Sequence, residues 1–297
     1  MHHARSGAVN IAYQAFGAST TMTSERNLPT AAEYDWCTTT KIGDGDTQLE
    51  FLDLRETRDA GLLEALYRDL FLPNFPDPDE QEDPGDWSPR LWGDPAPPQP
   101  EQHGVVAGTH VNDASARALA GFAFVEHYRE SRCALLSYVA VDKRLRQRGL
   151  ARTLFERALG SARKTANADG RPLRAVFAEI HDPAHVEKKN DVIDPAERAR
   201  IMAHLGARLV PIRYVQPALG EGGERSDRLS LVAFPQHGEH TVDADVIREF
   251  LLEYYAALSV SEPADDPDLV RITAELGSGP VELVPLDNTS AGAKPLR

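Results

Sequence analysis

Cysteine is scarce: only Cys37 and Cys133 occur in 297 residues, far apart and in unlike settings. That argues against a disulfide framework and suits a reducing compartment, so a cytoplasmic protein is expected. Long hydrophobic runs are missing too. No apolar stretch approaches the roughly 18 residues of a membrane span, and the N-terminus lacks the apolar core of a secretory signal. Positive charge is in deficit, with 32 Lys and Arg against 46 Asp and Glu and a net charge of −14. Phosphate backbones need a basic face, so nucleic acid is disfavoured as a partner. The acidic balance favours cationic substrates only mildly, since solubility alone accounts for it. No internal repeat is visible, and neither G-x-x-x-x-G-K-[ST] nor G-x-S-x-G occurs.

What is present divides into three stretches. Residues 1–48 contain the polar, small-residue run "GASTTMTSERNLPT" and read as a poorly structured leader of unknown role. Within them "RSGAVNIAYQAFG" alternates like a strand and resembles the first strand of some α/β-hydrolases, but no nucleophile elbow follows. Residues 49–235 carry the main run of elements. "LEFLDLRE" reads as a strand, and Leu62, Leu63, Leu66, Tyr67, Leu70 and Phe71 then recur at helical spacing up to Pro73. A proline- and acid-rich flap, 73–104, follows; nine prolines and seven acids between Pro73 and Pro100 leave no expectation of regular structure. "HGVVAGTHV", "ALAGFAFVEHY" and "CALLSYVAV" read as an antiparallel meander. A helix from Leu150, the buried strand "RAVFAEI", a helix capped by Asp194, and the strands "RLVPIRYVQ" and "RLSLVAF" complete this part. Residues 236–297 hold an amphipathic helix through Val246, Ile247, Phe250, Leu251, Tyr254, Tyr255 and Leu258, then the strand candidate "GPVELVPL". They read as an extension packing on the same fold.

The most informative stretch is "SYVAVDKRLRQRGLARTLFERAL", Ser137–Leu159, where a strand turns directly into a helix. The turn contains [QR]-x-x-G-x-[GA], from Arg146 to Ala151. Free amides at a helix N-terminus, beside the positive end of its dipole, hold phosphate well. Gly149 offers no side chain to block an anion, and Ala151 is small for the same reason. A Rossmann reading fails, because the second early glycine is missing and the preceding strands are antiparallel.

On these residues the sequence resembles the GNAT acyltransferase superfamily over about residues 49–235. The resemblance implies an α/β (α+β) fold with a central mixed, mostly antiparallel twisted sheet flanked by helices. It implies acetyl-CoA as co-substrate. Gln147, Arg148, Gly149, Leu150, Ala151 and Arg152 would present amides to the pyrophosphate. Val139, Ala140 and Val141 would pair with the pantetheine arm, and an amide near Val141 would polarise the thioester. "FAEIHDP" and "YVQPALG" look like an uncharacterised bacterial branch.

Acyl transfer needs a base to free the amine and an acid for the leaving thiolate. Glu179 stands where the superfamily often carries its glutamate, although a surface or helix-capping carboxylate would read the same. His181 is an alternative base, with His185 nearby. The superfamily's usual tyrosine position holds Met202, so Tyr214 is the substitute acid, ahead of Tyr128 and Glu126. Neither His181 with His185 nor His237 with His240 has further ligands at typical spacing, so no metal is expected. Cys133 opens a buried run and is not a nucleophile candidate. The expected function is transfer of acetyl to a primary amine of a small molecule, and the acidic flap from Pro73 to Pro100 weakly favours a cationic one. A protein N-acetyltransferase and a non-catalytic acyl-CoA-binding module are the alternatives. Oligomeric state cannot be read from the sequence.

Overall fold

The computed structural model describes residues 10–12, 40–41, 48–76, 81–182, 195–218, 224–235 and 239–286. Two short strands, β1 (Asn10–Ala12) and β2 (Thr40–Lys41), precede β3 (Gln48–Asp53). In β3, Leu49, Phe51 and Asp53 point into the fold, the period-2 signature of a strand. Asp53 then ends it by accepting the Arg55 amide at 2.9 Å, which starts α1 (Leu54–Thr57). Asp59 caps α2 (Ala60–Leu66) in the same way. That helix runs through a π turn, Tyr67–Phe71, into α3 (Leu72–Asn74), and its apolar stripe is the buried one.

The proline-rich flap is more regular than its composition suggests. It contains α4 (Trp87–Trp92), with the Trp87 indole buried against Phe71 and Phe124. Proline is tolerated in the first turn of a helix, and here Pro89 sits there while the tryptophans provide the anchoring surface.

β4 (Glu101–Thr109), β5 (Ala118–Tyr128) and β6 (Cys133–Val141) form the expected antiparallel meander. The chain returns through α5 (Leu150–Ala168) to β7 (Ala175–His181), parallel to β6. Then come α6 (Pro195–Leu205), β8 (Arg208–Leu209), β9 (Leu229–Ala233), β10 (Thr241–Asp243), α7 (Ala244–Ala257), α8 (Pro267–Leu276), β11 (Pro280–Glu282) and β12 (Val284–Pro285). The large sheet runs β12-β8-β9-β7-β6-β5-β4-β3-β2, with β1 added on β6. It is mixed and mostly antiparallel, as the resemblance implies.

Two strand expectations change. "RLVPIRYVQ" keeps only Arg208–Leu209 and a bridge from Gln216 to Ser226, because Pro211 has no amide for a ladder. "GPVELVPL" splits at Leu283, one half pairing with β10 and the other with β8. Asp194 and His185 lie outside the described residues. Among those described, no helix is long and apolar enough to cross a membrane.

Helices cover both faces of the sheet. Leu154, Phe155, Ala158 and Leu159 of α5 and Met202 of α6 pack on one face. On the other, α2 and α4 cover the β4–β6 half, and α7 covers β7 and β9. The Phe250 ring of α7 stacks on Phe177 at 4.5 Å. Phe250→Ala should therefore cost about 3–5 kcal/mol of stability, read by urea unfolding.

Candidate active site at the splayed strands

β6 and β7 pair only from Cys133↔Ala175 to Leu136↔Ala178. Beyond that point they part. The register of β6 on β5 also slips there, since Leu136 pairs with Val125 and Tyr138 with Phe124, leaving Ser137 as an extra residue. A bulge of this kind bends its strand and increases the local twist. It explains why the two strands diverge at this residue. Glu179 is the first β7 residue past the last pair. The β6 edge from Tyr138 to Ala140 faces the gap, where β1 pairs with it in parallel. This is the edge on which Val139, Ala140 and Val141 are expected to hold a pantetheine arm.

The same strand leads to the phosphate-binding candidate. Gly149 is the N-cap of α5 with φ 79°, and no side chain caps the helix. A Cβ at Gly149 would meet nothing within 4 Å, so the space before the loop is open. Gln147 also has a positive φ, 65°. These two left-handed residues, separated by one, fold the chain tightly ahead of Leu150, Ala151 and Arg152.

The cations of the turn divide their work. Arg144 lies on Asp142, with contacts of 3.0 and 2.8 Å. Arg146 is turned inward: its Nε donates to the Val141 carbonyl at 3.1 Å and Nη2 to Asn74 Oδ1 at 3.0 Å. It braces the turn against α3 instead of standing in solvent. Arg152 reaches the His204 carbonyl at the end of α6, so its side chain is not directed to the loop. Arg148 is exposed.

Glu179 and Tyr214, 35 residues apart in sequence, are brought together: the Tyr214 hydroxyl donates to Glu179 Oε1. Gln216 Nε2 and the Tyr254 hydroxyl each donate to Oε2 at 2.8 Å. The carboxyl has no exposed surface, and Tyr214 keeps 4%. Burial pushes Glu179 up from 4.5 to about 7, against the three donors, which pull it down. Burial and the adjoining carboxylate hold the Tyr214 phenol well above its ordinary value. Glu126 and Tyr128 form a neighbouring buried group. The Tyr128 hydroxyl donates to Glu126 at 2.8 Å, and Arg90 of α4 joins Glu126 to Glu82. Burial pushes Glu126 up to about 7 as well.

Gln216 and Tyr254 escape the sequence reading. Tyr254 lies within the apolar stripe of α7, and only its hydroxyl, an extra polar atom on a core face, hints at a second role. His181 does not serve as a free base here, because its Nδ1 accepts from Arg198 of α6. Met202 is buried in the core under α6, and burial pushes the Cys133 thiol up to about 12. An open cavity of about 500 Å³ lies elsewhere, in the C-terminal region beside Arg225 and Asp266, and none of its lining residues belongs to β6 or β7.

Residues 63–185 match the model of the acetyltransferase (GNAT) family. No curated protein matches the sequence. Among solved structures, nourseothricin acetyltransferase is similar at 20% identity and a TM-score of 0.30, over 46% of this chain and 65% of its own. The chain thus spans just under two thirds of that protein. A GNAT-family protein from Bacteroides thetaiotaomicron shares 16% identity over 64% of this chain and 88% of its own, with a TM-score of 0.40. A GNAT-family protein from Desulfovibrio desulfuricans shares 19% over 62% and 97%, also at 0.40.

Proposed function

From the match of residues 63–185 to the GNAT acetyltransferase family, we propose an acetyl-CoA-dependent N-acetyltransferase acting on a primary amine of a small molecule. The observation that carries this reading is a single strand, β6. It leads into the open, uncapped start of α5, and midway along it, past Leu136, it parts from β7 beside Glu179. From Ser137 to Val141 the strand spans about 13 Å. A thioester whose pyrophosphate rests on the α5 amides would run back along this edge and reach the fork.

The chemistry follows from the acid strengths. The ammonium form of the amine loses a proton to Glu179, passed through the Tyr214 hydroxyl because the carboxyl itself is enclosed. The amine nitrogen attacks the thioester carbonyl, a backbone amide of β6 stabilises the oxyanion, and the C–S bond breaks. The amide nitrogen sheds its second proton to solvent. Glu179, near 7, is a stronger acid than a thiol of ordinary pKa, about 8.5, so its proton returns downhill to the thiolate through Tyr214. Tyr214 is thus better suited to pass a proton than to be its source, since its own phenol is a weaker acid than the thiol.

The acceptor's charge preference loses part of its basis. Glu82 of the acidic flap is buried on Arg90, and Asp94 pairs with Arg129 at 2.5 Å. Glu82 is not free to attract a cation, whereas Asp94 remains exposed. A non-catalytic acyl-CoA-binding module is the second reading, and the enclosure of Glu179 favours it.

Calorimetry with coenzyme A, followed by thiol release against a panel of small amines and peptide N-termini, separates the two. Binding with release supports the enzyme, and binding alone supports the module. Failure of both overturns the site. The same titration on a chain lacking residues 1–12 should show tighter coenzyme A binding, since β1 no longer competes for the Tyr138–Ala140 edge.

A further inference from the structure

A second cluster lies on the α5 side of the sheet. Glu101 and His103 are alternate residues of β4, so they share a face, and His127 of β5 stands directly opposite Glu101 in the register. Their exposures are 6%, 0% and 3%. One ligand atom from each lies within 4.8 Å of the other two. His127 Nδ1 is 3.2 Å from Glu101 Oε2, and His103 Nε2 is 3.9 Å from the same oxygen.

The hydrogen bonds around His103 determine which of its nitrogens is free. Ser161 of α5 donates its one hydroxyl proton to Asp53 Oδ2 at 2.8 Å. The same oxygen is 3.0 Å from His103 Nδ1 and must therefore accept from it. The tautomer is thus Nδ1–H, and Nε2 carries a lone pair. That Nε2 is buried, has no hydrogen-bond partner, and faces the Glu101 carboxylate. A buried lone pair aimed at a carboxylate oxygen is unfavourable unless a cation stands between them.

We propose that Glu101, His103 and His127 bind one divalent transition-metal ion, zinc by ligand type. Two imidazoles and one carboxylate form a common zinc donor set, with a fourth position left for water. Tetrahedral zinc with bonds near 2.1 Å needs ligand atoms about 3.4 Å apart. The His127–Glu101 distance already meets this, and the His103–Glu101 distance exceeds it by about half an ångström. The Asp53–Ser161–His103 chain is the outer support that such a ligand ordinarily has, fixing tautomer and ring orientation. Arg129, 3.7 Å from Glu101 Oε1, is the local competitor for the carboxylate, but it also binds Asp94 and the Pro95 carbonyl. Ser161 lies 11 residues along α5 from Leu150, about 17 Å from the phosphate loop. The ion would therefore tie β4, β5 and α5 together at the far end from the acyl site.

The test uses the full chain, stripped with a chelator and titrated with zinc against a chromophoric competitor, then with cobalt for its visible spectrum. One zinc per chain is expected, with a tetrahedral cobalt spectrum and a rise in Tm on loading. His103→Gln and His127→Gln should each weaken binding at least a hundredfold. Ser161→Ala should weaken it about ten- to a hundredfold by releasing the tautomer. If a histidine variant does not fold, the cobalt spectrum of the unaltered chain decides. No zinc uptake, an octahedral cobalt spectrum, or uptake unchanged in the folded histidine variants overturns the proposal.

Discussion

Replacing Gly149 by glutamate is expected to abolish coenzyme A binding, by at least a hundredfold in Kd by calorimetry, while the protein stays folded. Three effects act together. At φ 79° the new residue is held in the left-handed region, which costs a non-glycine residue about 1–2 kcal/mol. Its side chain enters the open space before the loop, where an anion would approach the amides. Its charge then opposes the pyrophosphate, by about 4 kcal/mol for unit charges 4 Å apart at an effective dielectric of 20. Gly149→Ala carries only the first effect and a small part of the second, so it should weaken binding far less. Arg148→Ala should produce a modest loss that shrinks as salt rises, because an exposed charge acts through a screened field. Arg146→Ala should instead lower stability, with little salt dependence in binding, because its guanidinium braces Val141 and Asn74. If Gly149→Glu binds coenzyme A like the unaltered chain, the loop is not the phosphate site.

Glu179→Gln should lower kcat by about a hundred- to ten-thousandfold, the usual weight of a positioned acid–base group. The unaltered enzyme should gain activity as pH rises through about 7, where Glu179 becomes the carboxylate that accepts a proton. The variant should lose that limb. Tyr214→Phe should cost a similar factor, and the double variant should be no worse than either single one, because both belong to one relay. Independent, multiplying losses would contradict the relay.

Stability gives a second readout of the same group. Its folded pKa, about 7, lies above its ordinary 4.5, so between those values the native state holds a proton that the unfolded chain has released. The resulting stabilisation is complete below about 4.5 and is lost as pH rises through 7, amounting to about 3 kcal/mol. The Tm of the unaltered protein minus that of Glu179→Gln should therefore fall between pH 5 and pH 8. A difference that stays flat would mean the carboxyl is ionised throughout.

Much of the fold can be read in the sequence, because local patterns there carry physical meaning. Apolar runs separated by short turns mark the β4–β6 meander, buried on both faces, and the stripe from Leu62 to Phe71 marks the helix beneath it. The turn from Arg146 to Ala151 marks the candidate anion site for the same reason: a glycine at a helix start is a local backbone property. Prolines mislead in the flap, where composition hides α4, whose anchor Trp87 gains its stability from distant ring contacts.

The surroundings of the acid–base candidate, and the metal candidate as a whole, belong to tertiary structure alone. Glu179 acquires its environment from Tyr214, Gln216 and Tyr254, which arrive on separate segments. Their effect on its pKa is a matter of burial and donor geometry that no spacing encodes. His127 comes opposite Glu101 only through the β4–β5 register, and the His103 tautomer depends on Ser161 and Asp53, from two further elements. Sequence determines which residues lie next along the chain and which face of an element they occupy. Which face meets which is decided by packing, and there the chemistry of this protein is assembled.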